Sequence, residues 1–574
     1  MTAKQALVLL LSAVLTFATM PQSTSAWSGP VGSTKIKHVL LISIDGMHAV
    51  DFYNCAHGIA SIRDGASYCP NLAALAQTGI NYVGAISSRP SDSFPGMAAL
   101  ATGGTPKSTG AYYDVAYDRS LDPPAMTTGT GLAGGSCTPA GAGAPTGTTT
   151  DYDQGIEFDD TKLNGGAPNA SLTDGGIQSI NPSFLVRNPA KGCAPVYPWD
   201  FVRTNTIFSV THAAGGYTAW IDKHASYSFV AGPGGNGLDD YYSPEVDSNV
   251  VPLPGVRTVK GVSCATIADP TNLSSWTNSF ANIQCYDTIK VNALLNEIAG
   301  KTHLGAPAQI PALFGMNFQA VYIGESVSEP PVGNGGYLDA AATPSPQLLG
   351  EIEFVDAALG EIVQALQRAG IYEETLIVVT AKHGESPIEP SLYIANGNNT
   401  PATFLAQAGL IPESESPLNP TGIGATEDDV SVLWLVQGAK VTDAVGILEQ
   451  NASAIGLGEI FFGPTVALNY NVAGLGDGED PRTPDIIVAP NIGMTYSGST
   501  TMIGDHGGFS HDDTNVIMLV SNSSFYAQTV SVPVGTVQIA PTILVALGLS
   551  PSALDAVREE GTAILPEVGA QLEK

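Results

Sequence analysis

The sequence is short of positive charge. Its 574 residues carry 22 Lys and Arg against 53 Asp and Glu, a formal net charge of −31. Such a chain repels duplex nucleic acid and anionic membrane surfaces, so neither is expected as a partner. A small anionic substrate stays open, because a local cation inverts the field inside a pocket. Charged residues are few altogether, at 13%, while hydrophobic residues make up 44%. That balance excludes a disordered chain and provides for a sizeable core. After the N-terminal segment no apolar run reaches roughly 18 to 20 residues, so no membrane span is expected. No internal repeat governs the fold, and no CxxC pair offers zinc spacing.

What is there begins with an export signal. Lys4 precedes the apolar stretch ALVLLLSAVLTFA, residues 6–18, and small residues lead to Ala26. Residues 1–26 are expected to be a signal peptide and the mature protein to be secreted. The cysteines suit that compartment: Cys55, Cys69, Cys137, Cys193, Cys264 and Cys285 are even in number and lie in the N-terminal half. Disulfides are expected, with Cys55 and Cys69 paired as a local loop. Asn169, Asn272, Asn398, Asn451 and Asn522 each open an N-x-Ser/Thr sequon, the expected sites of N-glycans if the source is eukaryotic.

Continuous apolar runs recur: KHVLLISID (37–45), FQAVYI (318–323), ETLIVVTA (374–381), PDIIVAP (484–490) and NVIMLVS (515–521). Runs of this length bounded by turns suit strands buried on both faces, as in parallel sheets. Between two of them, Ile352, Val355, Leu359, Ile362 and Leu366 repeat at three and four in a stretch that stops at Gly370, which predicts an amphipathic helix. Strand, helix, strand argues for an α/β fold with a mostly parallel sheet. Residues 130–200 are rich in Gly, Pro and Thr and read as a surface insertion. Residues 395–480, with VSVLWLV and VTDAVGILEQNAS, read as a small subdomain within one hydrolase domain over 27–574.

In doubly wound sheets ligands bind beyond the carboxyl ends of strands. Asp45 ends the first run, Lys382 and His383 follow ETLIVVTA, and His506 precedes the last strong run. Ser93 stands before Phe-Pro on a turn that continues as a helix, and a helix N-terminus favours an anion. An Asp, two His and a Ser suit a metal and a phosphate, with a metal-bound serine oxygen as nucleophile. Asp222, Lys223 and His224, in YTAWIDKHASYS, are expected on a solvated turn, with a substrate-facing loop as the alternative. AYYD, residues 111–114, is a candidate aromatic pocket lining.

LLISIDGM, SDSFPGMAALATGGTPKSTGAYYD, TLIVVTAKHGESP, GDHGGFSHDDTNV and VQIAPTILVALGL together resemble the alkaline phosphatase superfamily, and within it the type I phosphodiesterase/nucleotide pyrophosphatase family. The resemblance implies an alkaline-phosphatase-like α/β fold, with helices on both faces of the sheet. It also implies a divalent metal, zinc, and hydrolysis of a small phosphate ester, a phosphodiester or nucleotide pyrophosphate. Its metal ligands fall on Asp45, Ser93, His383 and His506, and its nucleophile on Ser93. Two departures stand out. The Asp of the family's Asp-His pair is Lys382 here, which is expected to stabilise phosphoryl oxygens by charge. The family's further Asp and His are missing from VYIGESVSEPPVGNGGYLD, residues 321–339. Glu325 or Glu329, or else His511, Asp512 or Asp513, are the candidate replacements. The altered set keeps a second expectation alive: a weak or inactive extracellular binding protein on the same scaffold. A sulfatase-like hydrolase is the minor third, because Met97 stands where that motif needs Arg.

Overall fold

This computed structural model describes residues 35–127, 133–143, 145–151, 177, 180–246, 258, 264, 277–416 and 418–573. The expected signal peptide, the sequons at Asn169 and Asn272, and much of the 130–200 stretch lie outside the described residues.

Eight strands form the central sheet: β1 His38–Ile44, β2 Gly79–Tyr82, β3 Ala219–Ile221, β4 Asp240–Tyr242, β5 Leu313–Phe318, β6 Thr375–Thr380, β7 Met518–Ser521 and β8 Gln528–Val530. Their order across the sheet is β8-β2-β7-β6-β1-β5-β3-β4. β6, β1, β5, β3 and β4 pair in parallel, and β7 runs antiparallel to both neighbours. The fold is α/β with a mostly parallel sheet. The strands at its centre are apolar throughout because helices cover both faces, so no residue of β1 after His38 meets water.

Seven helices matter here: α1 Ser93–Thr102, α2 Ile207–Ala213, α3 Phe280–Ile298, α4 Ala320–Ser326, α5 Pro346–Ala369, α6 Val441–Gln450 and α7 Ile539–Ala546. α3, α4 and α5 pack together in one group, and α1, α2 and α7 in another. α5 is the helix read from the three-and-four spacing. Ser345 caps it by accepting from the Leu348 N–H, Pro346 occupies its first turn, and Gly370 ends it with φ 74°. Its apolar stripe, including Ile352, Leu359 and Leu366, is buried.

Two of the expected strands changed place. FQAVYI supplies only Phe318 to β5, and Ala320 onward is helical. The Asp287 carboxylate accepts the Gln319 and Ala320 N–H groups and starts α4 there. PDIIVAP is a strand, Ile486–Pro490, but it pairs antiparallel between Ser431–Leu433 and Leu457–Phe462 in a separate sheet. That sheet and α6 share a second apolar core, to which Tyr112, Tyr113 and Tyr117 contribute.

Cys55–Cys69 is bridged as expected, alongside Cys137–Cys193 and Cys264–Cys285. Asn522 is 2% exposed, and its side-chain N–H groups donate to the Glu373 and Thr375 carbonyls. It has no room for a glycan. No helix among the described residues is long and apolar enough to cross a membrane.

Candidate active site

Parallel pairing brings four strand ends to one edge. In register, Ser43 faces Asn317 and Thr380, and Met316 faces Ile221. The residues just beyond are therefore neighbours: Asp45 after β1, Gln319 after β5, Lys382 and His383 after β6, and Asp222, Lys223 and His224 after β3. Ser93 reaches the same place as the first residue of α1. That helix fits closely because residue 96 is glycine: a Cβ there would lie 2.4 Å from the Lys382 carbonyl oxygen.

Ser93 Oγ lies 3.0 Å from His383 Nε2 and accepts a hydrogen bond from Lys223 Nζ at 3.0 Å. His383 Nδ1 lies 2.9 Å from the Gly384 carbonyl oxygen. A carbonyl only accepts, so Nδ1 carries the proton and Nε2 turns its lone pair to the serine hydroxyl. Serine thus donates to a base and accepts from a cation. His506 stacks on His383, with ring centres 3.9 Å apart. Burial first, then the neighbouring His383 and Lys223, hold the pKa of His506 well below its ordinary value. His506 is therefore neutral, and its Nε2 stands 3.7 Å from Asp92 Oδ1.

Asp45 is fully buried. One carboxylate oxygen accepts from Asn317 Nδ2 at 2.8 Å, the other from Gln319 Nε2 at 2.5 Å. Lys382 Nζ is 3.2 Å away and Lys223 Nζ 3.8 Å. Burial by itself would raise the Asp45 pKa; Lys382 first, then His383 and Lys223, hold it well below the usual carboxylate range. Lys382 is also buried, 3.5 Å from Asp222 and 4.3 Å above the centre of the Tyr227 ring.

The helix N-terminus is not the open anion site the sequence led us to expect. The Ser93 N–H donates to Asp92, the Phe94 N–H to Asp114, and the Gly96 N–H to the Asp92 carbonyl, while Pro95 has none to give. Carboxylates already occupy the first turn, so the positive charge beside Ser93 comes from lysine. The Asp222-Lys223-His224 cluster is corrected likewise. Asp222 and His224 are buried, the Lys223 side chain is only 12% exposed, and the cluster belongs to the site. Burial opposes a charged Lys223, but Asp45, Asp114 and Asp222 raise its pKa.

The replacement ligands proposed from sequence lie elsewhere. Glu325 accepts from the Tyr337 hydroxyl beside His48 and Asp51. Glu329 accepts from the Phe280 N–H at the start of α3. His511 is exposed, Asp512 accepts from the Ile388 N–H, and Asp513 from the Ser510 N–H. The places beside Asp45 are taken by two amides, Asn317 and Gln319. Sequence reading missed them because it set the pattern after the strand rather than at its end.

Two groups of three donors among the described residues stand close enough to share a cation, His383/Glu385/His506 and His48/Asp51/Glu325. The second is closed on itself: His48 Nδ1 meets Asp51 and Tyr337, and Nε2 meets the Asp512 carbonyl oxygen. In the first, both Glu385 oxygens and His506 Nδ1 lack a hydrogen-bond partner, but both His383 nitrogens are engaged. A metal between Asp45 and Ser93 does not fit. An ion there would have to displace the Asn317 and Gln319 amides from the Asp45 oxygens and sit beside the Lys382 and Lys223 ammonium groups.

A cleft of about 980 Å³ leads to the site. Lys223, His383 and His506 line it, with Tyr113, Tyr322 and Asp428 among its walls. Tyr113 donates to Asp428, so one tyrosine of AYYD faces the cleft, while Tyr112 bonds Thr483 within the second core. Met97, at the arginine place of the sulfatase motif, is buried in the main core.

The sequence profile of the type I phosphodiesterase/nucleotide pyrophosphatase family matches residues 39–140 and 336–509. The matched segments carry Asp45, Ser93, Lys382, His383 and His506; Lys223 lies in the stretch between them. Murine ectonucleotide pyrophosphatase/phosphodiesterase 5 superposes with a TM-score of 0.50 at 14% identity, covering 90% of this chain and 96% of that one. An inactive variant of the same murine protein, in complex with AMP, superposes with a TM-score of 0.51 at 13% identity and the same coverage. At these identities the likeness speaks for the fold. No curated protein matches the sequence.

Proposed function

The chain belongs to the type I phosphodiesterase/nucleotide pyrophosphatase family, whose members are phosphate-ester hydrolases, and from that premise we propose that it cleaves phosphodiesters or nucleotide pyrophosphates with Ser93 as the nucleophile. One observation carries the reading: Ser93 Oγ is held at 3.0 Å from both a histidine lone pair and a lysine ammonium. His383 Nε2 takes the hydroxyl proton as the serine oxygen attacks phosphorus, the work of a positioned general base. Asp45 fixes the ammonium groups that face it, and His506 holds the His383 ring by stacking. Among the described residues the divalent cation that the family resemblance implies finds no complete donor set beside Ser93, so the chemistry is written on the chain's own groups.

The site of action is outside the cell, a reading supported by the N-terminal export signal and by three disulfides. The cleft has the volume for a nucleotide-sized ester, the class of ligand that the murine neighbour holds as AMP.

The test is hydrolysis of aryl phosphate mono- and diesters by the secreted protein, wild type against Ser93→Ala. Wild type is expected to prefer the diester, and the variant to lose at least about 10³-fold. Equal turnover in the two proteins would remove Ser93 from the chemistry. No turnover in either, with a phosphate ester still bound, would favour the binding protein on the same scaffold.

A further inference from the structure

We propose that the ammonium groups of Lys223 and Lys382 stand in for catalytic metal in this chain, that Lys223 is itself a catalytic residue, and that Ser93 therefore works without a bound metal ion. The inference rests on Ser93 being the nucleophile.

Three observations lead to it. Asp45, the carboxylate that the family resemblance assigns to metal, is bracketed by the two ammonium groups at 3.2 and 3.8 Å, and its oxygens are filled by neutral amide donors. The first-turn N–H groups of α1 are spent on Asp92 and Asp114, so the helix end offers nothing to a phosphate. Finally, among the described residues Lys223 is the only Lys or Arg lining the cleft, whose walls also carry Asp92, Asp114, Glu427, Asp428 and Asp505. In a chain of net charge −31 an anionic ester meets one cation there among the described residues.

The two lysines divide the work. Lys382 is buried between Asp45, Asp222 and the Tyr227 ring and is a fixed charge behind the site. Lys223 is partly exposed and covers Ser93 Oγ. When an ester enters, Lys223 turns from the serine oxygen to a phosphoryl oxygen and uncovers the nucleophile. A Ser93 Oγ–P bond then forms as the P–O bond to the leaving group breaks. The serine proton passes to His383 Nε2, which releases it to solvent, and the departing oxygen, on the far side of phosphorus from Ser93, takes its proton from water. In the second half, water forms the new O–P bond as the Ser93 Oγ–P bond breaks; His383 takes a proton from the water and returns one to serine. Lys223 keeps its protons throughout and offsets the charge on the equatorial oxygens.

The experiment measures three quantities on purified secreted protein. They are metal content by mass spectrometry, aryl phosphodiester turnover before and after exhaustive chelation, and binding of inorganic phosphate in chelator by calorimetry. Wild type, Lys223→Ala, Lys223→Arg and Ser93→Ala are compared, each checked for a wild-type melting transition. Wild type is expected to keep its turnover within about two-fold after chelation and to bind phosphate without metal, while Lys223→Ala loses about 10²- to 10³-fold in turnover. Lys223→Arg keeps the charge and is expected to retain phosphate binding even where turnover falls. A retained ion whose removal leaves turnover unchanged agrees with the proposal. Turnover or phosphate binding that vanishes on chelation and returns with zinc overturns it, as does a folded Lys223→Ala with wild-type kinetics. Turnover undiminished in Ser93→Ala would instead strike the underlying reading. Should no ester turn over, phosphate binding in chelator, present in wild type and absent in Lys223→Ala, decides the question.

Discussion

The Lys382 ammonium lies 3.2 Å from the Asp45 carboxylate, and both side chains are fully buried. Removing one partner of such a pair leaves the other charged and dry. The Lys382→Met variant keeps the length of the side chain and deletes the charge facing both Asp45 and Asp222. It is expected to lose about 3–5 kcal/mol of stability, read from denaturant unfolding. A loss within experimental error would mean that the amides of Asn317 and Gln319 satisfy Asp45 without help.

His383 and His506 are stacked, but only His383 touches Ser93. His383→Ala is expected to lower diester turnover by about 10²- to 10⁴-fold, and His506→Ala by less than about ten-fold. Reversed magnitudes would make His506 the group that handles the proton.

Gly96 sits where a Cβ would come within 2.4 Å of the Lys382 carbonyl oxygen. Gly96→Ala must push α1 off the end of β6, carrying Ser93 away from His383. A destabilisation of about 1–3 kcal/mol is expected, together with a turnover loss that the stability change does not explain. Crystallography of the variant would show whether the distance between Ser93 Oγ and His383 Nε2 has grown; an unchanged distance with unchanged turnover would refute this account.

Stability should depend on pH through buried acids away from Ser93. Burial first, then the charge of Asp51, raises the pKa of Glu325 to about 7, and burial raises that of Asp513 to about 6. In the unfolded chain such groups titrate near 4. Between those values the folded protein holds protons that the unfolded chain has released, so stability falls as pH rises through about 4 to 7. The melting temperature is expected to be higher at pH 5 than at pH 8, and Glu325→Gln to flatten part of that slope. A melting temperature rising steadily over this range would contradict the assignment.

Much of the site was legible along the chain. Asp45, Ser93, Lys382, His383 and His506 sit beside recognisable runs, and a strand that ends in a polar residue announces the edge of a parallel sheet where polar side chains gather. α5 was readable for a similar reason: its three-and-four spacing, Ser345 and Gly370 act within one helix. FQAVYI misled because a short apolar run looks alike as strand or helix, and the cap that decided it, Asp287, comes from another helix. Lys223 looked like a solvated residue because its neighbours in sequence are polar. Its neighbours in space are Ser93 and Asp45.

The sequence by itself determined the fold class, the sheet edge where the candidate site lies and the residues delivered to it, because apolar periodicity, strand ends and caps act over a few residues. The tertiary structure decided which partners those residues meet. Whether Asp45 faces a metal ion or two ammonium groups and two amides depends on the pairing of β1 with β5 and β6, and on the loop after β3 folding inward. Charge and hydrogen-bond satisfaction in a buried site are settled by distances across the sheet, and the spacing along the chain does not carry them.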